Sequence, residues 1–312
     1  MRSSLAPLAM LIIAPFTFAA EPLKAALTEK EIADGWVQLF DGESTFGWKV
    51  DGEVTIKDGE LSIPAEARMT YGIQLPPGTR KVVYSGGLWV KQGVGQDNLV
   101  VIKRPPIDEQ IVSILYKPEK LTPLFNGKDL AGWKVHDEPK KNASKFEVTK
   151  DGEMHLINGP GDLQTTAKYA DFLLQFQCKT NGDGLNSGIF FRCIEGQYQN
   201  GYECQISNKI TGTDRTKPAD FGTGAIYRRV PARKVVANDK EWFSVTLVAH
   251  GDRFASWVNG YPVMNWQDDR AADVNPRKGL RKEAGHLSIQ GHDPTTDILF
   301  RKLEIAEFPA KN

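Results

Sequence analysis

The sequence has no excess of either charge, because its 312 residues include 39 basic and 39 acidic side chains. Such a balance provides no electrostatic attraction toward nucleic acid or an anionic membrane, so neither partner is indicated. Several common catalytic motifs are also missing, namely H-E-x-x-H, the G-x-S-x-G elbow, the Walker loop and G-x-G-x-x-G after a strand. Enzyme classes that depend on those motifs are therefore not favoured.

Cysteine is scarce, and its three residues show no C-x-x-C spacing that would indicate a zinc site. In an oxidising compartment one pair could form a disulfide. Cys193 and Cys204 are the best-placed pair, because they flank a predicted hairpin turn. The alternative is that Cys178, Cys193 and Cys204 are three small buried side chains.

Long hydrophobic runs are absent after the first twenty residues. At the start, Arg2 precedes the apolar run Leu8–Phe18, and small residues follow at Ala19 and Ala20. The run is too short for a comfortable membrane span, so residues 1–20 are predicted to be a signal peptide, with a retained N-terminal anchor as the alternative. We expect an exported protein, periplasmic or secreted in the bacterial manner, with no transmembrane segment after signal removal.

Helical periodicity is nearly absent as well. Thr28 and Glu31 match a capping box, which predicts a short helix to about Ala33. The remaining chain consists of short alternating or apolar runs between Gly, Asn, Asp and Pro clusters, a pattern typical of an all-β sandwich or barrel. The clearest predicted strands are Val82–Tyr84, Leu99–Ile102, Phe172–Cys178, Ser187–Ile194, Gly201–Ile206, Phe243–Ala249, Phe254–Val258, His286–Ile289 and Ile298–Ile305.

One phrase occurs twice, as LFDGESTFGWKV at 39–50 and as LFNGKDLAGWKV at 124–135. Each copy has a turn dipeptide, Asp-Gly or Asn-Gly, between an apolar Leu-Phe pair and a Gly-Trp pair. We interpret the phrase as part of the scaffold that anchors the edge of a sandwich. The alternative is direct ligand contact by Trp48 or Trp133.

The repetition extends beyond the phrase and then stops. Lys57–Glu60 recurs as Lys150–Glu153, each with an Asp-Gly hairpin signal before a short strand. Beyond this point the copies differ: the first ends near Lys117, before a predicted linker at Pro118, whereas the second continues for more than a hundred residues. We therefore predict a smaller β-rich domain at 28–118, which is a truncated partial repeat, and a larger β-sandwich domain at 121–308.

Function is expected in the segments that only the second copy contains. Strand alternation places Arg192, Glu203 and Gln205 on one face if the apolar residues of both strands point into the core. A charged pair beside an amide suits a polar ligand, whereas the alternative is a salt bridge on a solvated face. The first copy lacks counterparts of such residues and is predicted to have no catalytic role. The segments are Asn186–Arg192, Gly201–Ile206, Thr223–Tyr227, Trp257–Gly260 and Gln290–His292.

Aromatic and histidine side chains in these segments favour a carbohydrate ligand. Tyr227 and Trp257 could stack on a sugar ring, and the hydroxyl of Tyr227 could donate a proton. His292 could shuttle protons near neutral pH, although a loop histidine is often a surface hydrogen-bonding group. Ordinary glycosidases use two carboxylates, and Glu203 has no evident second one.

The phrase at 124–135 and the segments between Asn186 and Gly260 occur in one fixed order along the chain. Together they resemble the 3-keto-disaccharide hydrolase domain family, over about Leu121 to Phe308. The resemblance implies a concanavalin A-like, jelly-roll β-sandwich that binds sugar on its concave sheet. It also implies a carbohydrate substrate oxidised to a ketone at sugar carbon 3. The ketone acidifies the C2 hydrogen, so a single base can start elimination of the glycosidic group, and addition of water completes a net hydrolysis.

The resemblance also suggests roles for individual residues. Glu203 and Gln205 match the family's Glu-x-Gln strand, and Glu203 would be the general base or a metal-binding carboxylate. Arg192, in the family's Phe-Phe-Arg, would stabilise the enolate oxygen that forms from the 3-ketone when the base removes the C2 hydrogen. His292 would be the acid for the departing oxygen, with Tyr227 as its alternate. The expected substrate-binding residues are Gln205, Asn186, Trp257 and Gln290.

One position departs from the family pattern. Family members commonly carry Asp three residues after the Gln of Glu-x-Gln, and this sequence has Asn208 there. The departure favours a non-catalytic, lectin-like carbohydrate-binding protein as the alternative to a hydrolase or lyase, and a structural adhesion module is a third possibility. A divalent cation such as Ca²⁺ is compatible with the implied fold, although no ligand motif identifies one.

Overall fold

The computed structural model describes residues 27–87, 89–94, 100–103 and 109–308. The predicted signal peptide lies outside these ranges. The described chain begins with helix α1 (Glu29–Ala33), whose N-terminus is closed by the predicted capping box between Thr28 and Glu31. Among the described residues, no helix is long and apolar enough to cross a membrane.

In the described ranges, the rest of the chain forms short strands joined by turns and loops. All strand pairs are antiparallel, which allows the short connections that the turn signals predict. The strands are β1 (Val37–Phe40), β2 (Trp48–Asp51), β3 (Thr55–Lys57), β4 (Glu60–Ser62), β5 (Arg68–Tyr71), β6 (Gly78–Tyr84), β7 (Trp89–Val94), β8 (Val101–Lys103), β9 (Ile111–Pro118), β10 (Thr122–Pro123), β11 (Trp133–Val135), β12 (Lys145–Val148), β13 (Met154–Ile157), β14 (Gly161–Thr165), β15 (Phe172–Thr180), β16 (Ser187–Cys193), β17 (Tyr202–Ile206), β18 (Phe243–His250), β19 (Arg253–Val258), β20 (Tyr261–Gln267), β21 (His286–Gly291) and β22 (Asp297–Glu307).

The strands belong to four sheets. Sheet I has the order β3-β4-β9-β6-β7, with β1 beside β9, and sheet II has the order β2-β5-β8. Sheet III has the order β12-β13-β22-β15-β18-β19-β20, with β10 beside β22. Sheet IV has the order β11-β14-β21-β16-β17. Sheets I and II therefore come from the first part of the chain, and sheets III and IV from the part that follows Pro118.

Sheets III and IV pack face to face around the larger hydrophobic core. On sheet IV, alternate residues such as Ile189, Phe191 and Cys204 point into this core. The ring of Phe191 lies 5.3 Å from the ring of Tyr202 on its own sheet and 5.5 Å from that of Phe254 on the opposite sheet. This arrangement confirms the all-β sandwich that the sequence predicts.

Sheets I and II enclose a second core, which extends onto the outer face of sheet III. Strands β15 and β18 are therefore buried on both faces where they cross between the two cores, and this explains the consecutive apolar residues Phe172–Leu174 and Leu247–Ala249. The N-terminal unit, which consists of sheets I and II (strands β1 to β9), lies behind sheet III, whereas the outer face of sheet IV is on the opposite side of the sandwich. The residues of sheet III that join the second core are Leu173, Val248, Ala255, Trp257 and Ala306.

The repeated phrase makes the same structure in both copies. The indole Nε1 of Trp48 donates a hydrogen bond to the carbonyl of Leu39 at 2.6 Å, and that of Trp133 donates to the carbonyl of Leu124 at 2.7 Å. Both tryptophans are buried. Each phrase is thus closed by its own tryptophan, which supports the interpretation of the phrase as scaffold.

The turn inside the phrase is also shared. Asp41 Oδ1 accepts hydrogen bonds from the amides two and three residues ahead, at 2.8 and 2.7 Å. Asn126 Oδ1 accepts the equivalent bonds at 2.8 and 3.0 Å. Asp and Asn are therefore interchangeable for this turn, because either side chain provides the accepting oxygen.

The three cysteines are free thiols, and all are buried. Cys204 lies opposite Ile189 in the strand pairing and points into the core of the sandwich. Cys193 follows an irregularity in the pairing of β16 and lies against Gly201, outside that core. The suggested disulfide between Cys193 and Cys204 is not formed, and the alternative of three small buried side chains describes the structure.

Candidate functional site

A polar cavity of about 450 Å³ lies on the outer face of sheet IV. Strands β16 and β17 form its floor, where Phe190 pairs with Glu203 and Gly188 pairs with Gln205. Because side chains alternate along β17, Tyr202, Cys204 and Ile206 fill the core while Glu203 and Gln205 face outward. The walls come from loops and from the end of β21. The lining residues are Asn186, Phe190, Gln199, Gly201, Tyr202, Glu203, Gln205, Ile226, Tyr227, Arg228, Arg229, Pro276, Arg277, Gln290 and His292.

Glu203 is the one carboxylic acid among the described residues that line this cavity. Its side chain is almost fully buried, with 8% relative exposure. Burial raises the pKa of Glu203 to about 8, and Asp220 adds to the increase, while Arg277 and Arg228 act against it. The group therefore exchanges its proton close to neutral pH, which is the property that a general base or acid requires.

Two amides lie beside Glu203 and are held by Asp220. Gln205 Nε2 donates to the carboxylate of Asp220 at 3.1 Å and to its carbonyl at 3.2 Å, and Asn186 Nδ2 donates to the same carboxylate. With their amide nitrogens bound in this way, Gln205 Oε1 and Asn186 Oδ1 are buried and have no hydrogen-bond partner. Both oxygens can accept hydrogen bonds from the hydroxyl groups of a ligand.

A third amide lies on the neighbouring strand. Gln290 Nε2 donates to Gln199 Oε1 at 3.1 Å, and Gln290 Oε1 is again buried without a partner. Beneath this pair, the fully buried Asp162 accepts a hydrogen bond from the backbone amide of Gln199 at 3.3 Å. Burial raises the pKa of Asp162 to about 6. The floor therefore presents several acceptors at once, as a ligand with several hydroxyl groups would need.

The segment Thr223–Tyr227 runs along the free edge of β17. The amide of Tyr227 donates to the carbonyl of Glu203 at 2.9 Å, and the amide of Gln205 donates to the carbonyl of Ala225 at 3.0 Å. These bonds hold the aromatic ring of Tyr227 at the cavity wall, where it meets Phe221 edge-on at 5.2 Å. The segment predicted from sequence is thus placed at the site by strand-like pairing.

His292 lies on the same cavity at the end of sheet IV. A nitrogen of its ring, Nδ1, is 2.7 Å from the carboxylate of Asp293, and the side chain is 41% exposed. The hydrogen bond orients the imidazole and leaves Nε2 for another partner. The structure therefore brings together six predicted residues at one cavity: Glu203, Gln205, Asn186, Gln290, Tyr227 and His292.

Arg192 is not part of this group, and the prediction that it lies beside Glu203 on one face is wrong. Its guanidinium donates to the carbonyls of Ala170, Gly251 and Arg281, each at 2.8 Å, and to Asp171 at 2.9 Å. The cause is local: Arg192 has a positive φ of 51° at a pairing irregularity of β16, so the alternation that the prediction assumed is broken there. Its side chain is completely buried.

Trp257 is also outside the cavity, so the structure does not place it as a sugar-stacking residue. It lies on the outer face of sheet III, where its Nε1 donates to the carbonyl of Gln38 at 2.7 Å. Its ring stacks on Tyr71 at 6.4 Å. Alternation along β19 points Trp257 toward the N-terminal unit, so it joins the two parts of the chain.

Three arginines at the cavity were not predicted from the sequence: Arg228, Arg229 and Arg277. Arg277 donates to the carbonyl of Gln199 at 2.6 Å, and Arg229 donates to the carbonyl of Arg277 at 2.6 Å. Arg228 lies 5.3 Å from the centre of the Tyr227 ring. The run Tyr227-Arg228-Arg229 was a usable signal for the first two, whereas Arg277 belongs to a distant loop that only the fold brings near.

Asn208 lies beside the cavity loops but not on the cavity. Its Nδ2 donates to Asp239 at 3.0 Å, and its Oδ1 accepts from Thr223 Oγ1 at 2.6 Å. No three His, Cys, Asp or Glu side chains are grouped to hold a metal ion in the ranges that the structure describes. The divalent cation that the resemblance suggested, such as Ca²⁺, stays a prediction.

Comparison with known proteins gives a family and distant similarities of fold. The family model of the 3-keto-alpha-glucoside-1,2-lyase-like domain matches residues 120–306. A solved structure of a candidate glycosyl hydrolase from Parabacteroides distasonis is 23% identical, with a TM-score of 0.49, over 61% of this chain and 95% of its own. A carbohydrate-binding module from Bacillus subtilis is 17% identical, with a TM-score of 0.37, over 55% and 93%. No curated protein matches the sequence.

Proposed function

The chain belongs to the 3-keto-alpha-glucoside-1,2-lyase-like domain family, and we propose that it is an exported enzyme that cleaves 3-keto-glycosides. The observation that carries the proposal is the isolated, buried Glu203, with its raised pKa, among amide oxygens that have no partner. Such a site can bind a sugar through its hydroxyl groups and remove one weakly acidic proton. Export to the periplasm or beyond is proposed from the pattern of residues 1–20.

Glu203 acts first, as the general base that removes the C2 proton. The electron pair of the C–H bond then forms an enolate whose negative charge develops on the C3 oxygen. A carboxylate with a pKa of about 8 is a stronger base than an ordinary glutamate, and its ionised fraction grows as pH rises from neutral through about 8.

Arg277 takes the role of stabilising the enolate that Arg192 cannot fill. Arg277 lines the cavity with Glu203 and is the cationic group that most lowers its pKa, so its guanidinium is close enough to act on a sugar bound beside Glu203. Its bond to the carbonyl of Gln199 holds the guanidinium in place before the reaction. A fixed cation is most effective in this arrangement because it need not reorganise as charge appears.

Elimination follows when the enolate electrons re-form the C3 ketone and expel the glycosidic group from C1. His292 donates the proton that the departing oxygen needs, and Tyr227 is the alternate donor. Water then adds across the C1–C2 double bond: its hydroxyl bonds to C1 while its proton passes to His292, and the proton held by Glu203 returns to C2. The net reaction is hydrolysis, and it needs no second carboxylate of the kind that ordinary glycosidases use.

A non-catalytic, lectin-like role on the same cavity is the second candidate. The free oxygens of Asn186, Gln205 and Gln290 favour it, since they would serve binding without any chemistry. The two candidates share a ligand class and differ in the fate of Glu203. Glu203→Gln should lower turnover about a hundredfold or more under the enzyme proposal, and should leave sugar binding largely unchanged under the lectin-like one.

The decisive experiment incubates the pure mature protein with 3-keto-glucosides, and with unoxidised glucosides as the control, followed by product analysis. Under the enzyme proposal, only the keto substrates should yield a free 3-keto sugar and the alcohol that was attached to it through the glycosidic bond. Parallel reactions with a chelator test the divalent cation, and unchanged rates are expected. Binding of keto-glucosides without any product would instead support the lectin-like role.

A further inference from the structure

One long connection carries much of the cavity wall. It joins β17 to β18, and it contains both Asp220, which holds the amides of Gln205 and Asn186, and Tyr227. Asp220 and the next residue, Phe221, have positive φ values of 49° and 68°. Non-glycine residues in this region are strained and persist only where surrounding contacts impose the conformation. The loop therefore needs an anchor.

The N-terminal unit provides such an anchor through Asp41 and Arg233. Arg233 Nη1 donates to Asp41 Oδ2 at 2.8 Å, and Nη2 donates to the hydroxyl of Tyr261 at 2.9 Å. The guanidinium also lies 4.5 Å from the centre of the Phe46 ring. The side chain of Asp41 is 1% exposed and that of Arg233 is 25% exposed, so the ion pair is shielded from solvent.

A short chain of contacts leads from this ion pair to the cavity. Ala232, which precedes Arg233, donates its amide hydrogen bond to the carbonyl of Phe221 at 2.9 Å. Phe221 in turn contacts the ring of Tyr227 and follows Asp220 directly in sequence. A shift of Arg233 would therefore reach both the ring at the wall and the group that orients the amides.

We propose that the N-terminal unit positions the cavity loop through Asp41 and Arg233, an inference that rests on the proposed function for its effect on turnover. The repeated phrase makes the same turn in both copies, but the turn residue is Asp41 in one and Asn126 in the other. Either residue makes the turn, but Asp41 also brings a buried charge to Arg233, beside the more exposed Glu43, whose carboxylate is 3.8 Å from Nη2. Asp41 and Arg233 are positioning residues, since neither lines the cavity.

Asp41→Asn is the informative variant, because Asn126 shows that asparagine preserves this turn. Hydrogen–deuterium exchange should become about tenfold faster in peptides that cover residues 219–233, and remain as in wild type in peptides from β16 and β15. Asp51→Asn, which removes an exposed carboxylate of the same unit, is the matched control and should leave the loop unchanged. Unaltered loop exchange in Asp41→Asn, or an equal increase throughout the chain, would overturn the proposal.

Steady-state kinetics then tests whether the contact between Asp41 and Arg233 affects substrate binding at the cavity. For Asp41→Asn, KM for a 3-keto-glucoside should rise about five- to tenfold while kcat stays within about twofold, because the loop holds binding groups and Glu203 lies on β17. Arg233→Met, which removes the guanidinium and keeps a flexible side chain, should give the same split, and the double variant should add little. An unchanged KM with a loosened loop would overturn the role at the site. If the wild type turns over no keto-glycoside, the proposed function fails, whereas the exchange experiment still decides whether the anchor exists.

Discussion

The carboxylate of Glu203 lies over the backbone of Gly188, on the neighbouring strand. A β-carbon at position 188 would stand 2.7 Å from Glu203 Oε1 and 2.9 Å from its Cγ. Gly188 does not have a positive φ, so glycine is required here for space and not for backbone conformation. The glycine in the segment Asn186–Arg192 thus makes room for the proposed base.

Gly188→Ala should displace Glu203 and lower turnover of a 3-keto-glucoside by about tenfold to a hundredfold, because the base no longer meets the C2 hydrogen. The urea midpoint should stay close to that of the wild type, since the side chain that must move is flexible. Gly93→Ala, which adds a methyl group to a strand glycine with nothing within 4 Å, is the control. Normal turnover in Gly188→Ala would contradict this account of the cavity floor.

Glu203→Gln keeps the size of the side chain and removes the base. Turnover should fall about a hundredfold or more while substrate binding is largely retained. In the wild type, kcat/KM should rise with pH as Glu203 ionises around its pKa of about 8. A pH profile of the wild type with no inflection between pH 7 and 9 would argue against Glu203 as the base.

Ionisation of Glu203 should lower the free energy of unfolding as pH rises, whereas it raises kcat/KM. The folded-state pKa of Glu203 is raised above the ordinary value of 4.5, so the folded protein binds more protons than the unfolded chain between those values. Its contribution to the free energy of unfolding is fully present below about pH 4.5 and is lost progressively as pH rises through about 8. Urea titrations at several pH values should show this loss in the wild type, and a smaller one in Glu203→Gln.

Substitution by Met should lower the stability of the protein at Arg192 and the turnover number at Arg277. Arg192→Met removes the bonds that the buried guanidinium makes to three carbonyls and to Asp171, so the free energy of unfolding should fall by about 3 kcal/mol or more. Arg277→Met should leave stability near that of the wild type and lower kcat by about tenfold to a hundredfold. A stable Arg192→Met variant with low kcat would restore Arg192 as the enolate group.

Asn208→Asp tests the departure from the family pattern. The amide of Asn208 donates to Asp239, so a carboxylate at position 208 would lose this bond and face a like charge. The free energy of unfolding at neutral pH should fall by about 1–3 kcal/mol, with less loss at acidic pH. Turnover should not increase. A clear gain in turnover would show that Asn208 limits the enzyme.

Patterns along the chain were sufficient for the fold class and for the direction of several side chains at the candidate site. Alternation along β17 correctly predicted that Glu203 and Gln205 share the face opposite Cys204, because a regular strand fixes side-chain direction with a period of two residues. The capping box predicted α1, and the two Gly-Trp phrases predicted equivalent anchors, since each depends on contacts within about ten residues.

Tertiary structure decided what sequence spacing could not. The positive φ of Arg192 at an irregular pair breaks the two-residue period, so its side chain is buried among carbonyls and away from Glu203. Trp257 faces the N-terminal unit because sheet III is covered on both sides, and alternation alone does not say which face meets which neighbour. Arg277 and Asp41 reach the site or its loop from distant parts of the chain. Their roles depend on packing between segments, which no local pattern encodes.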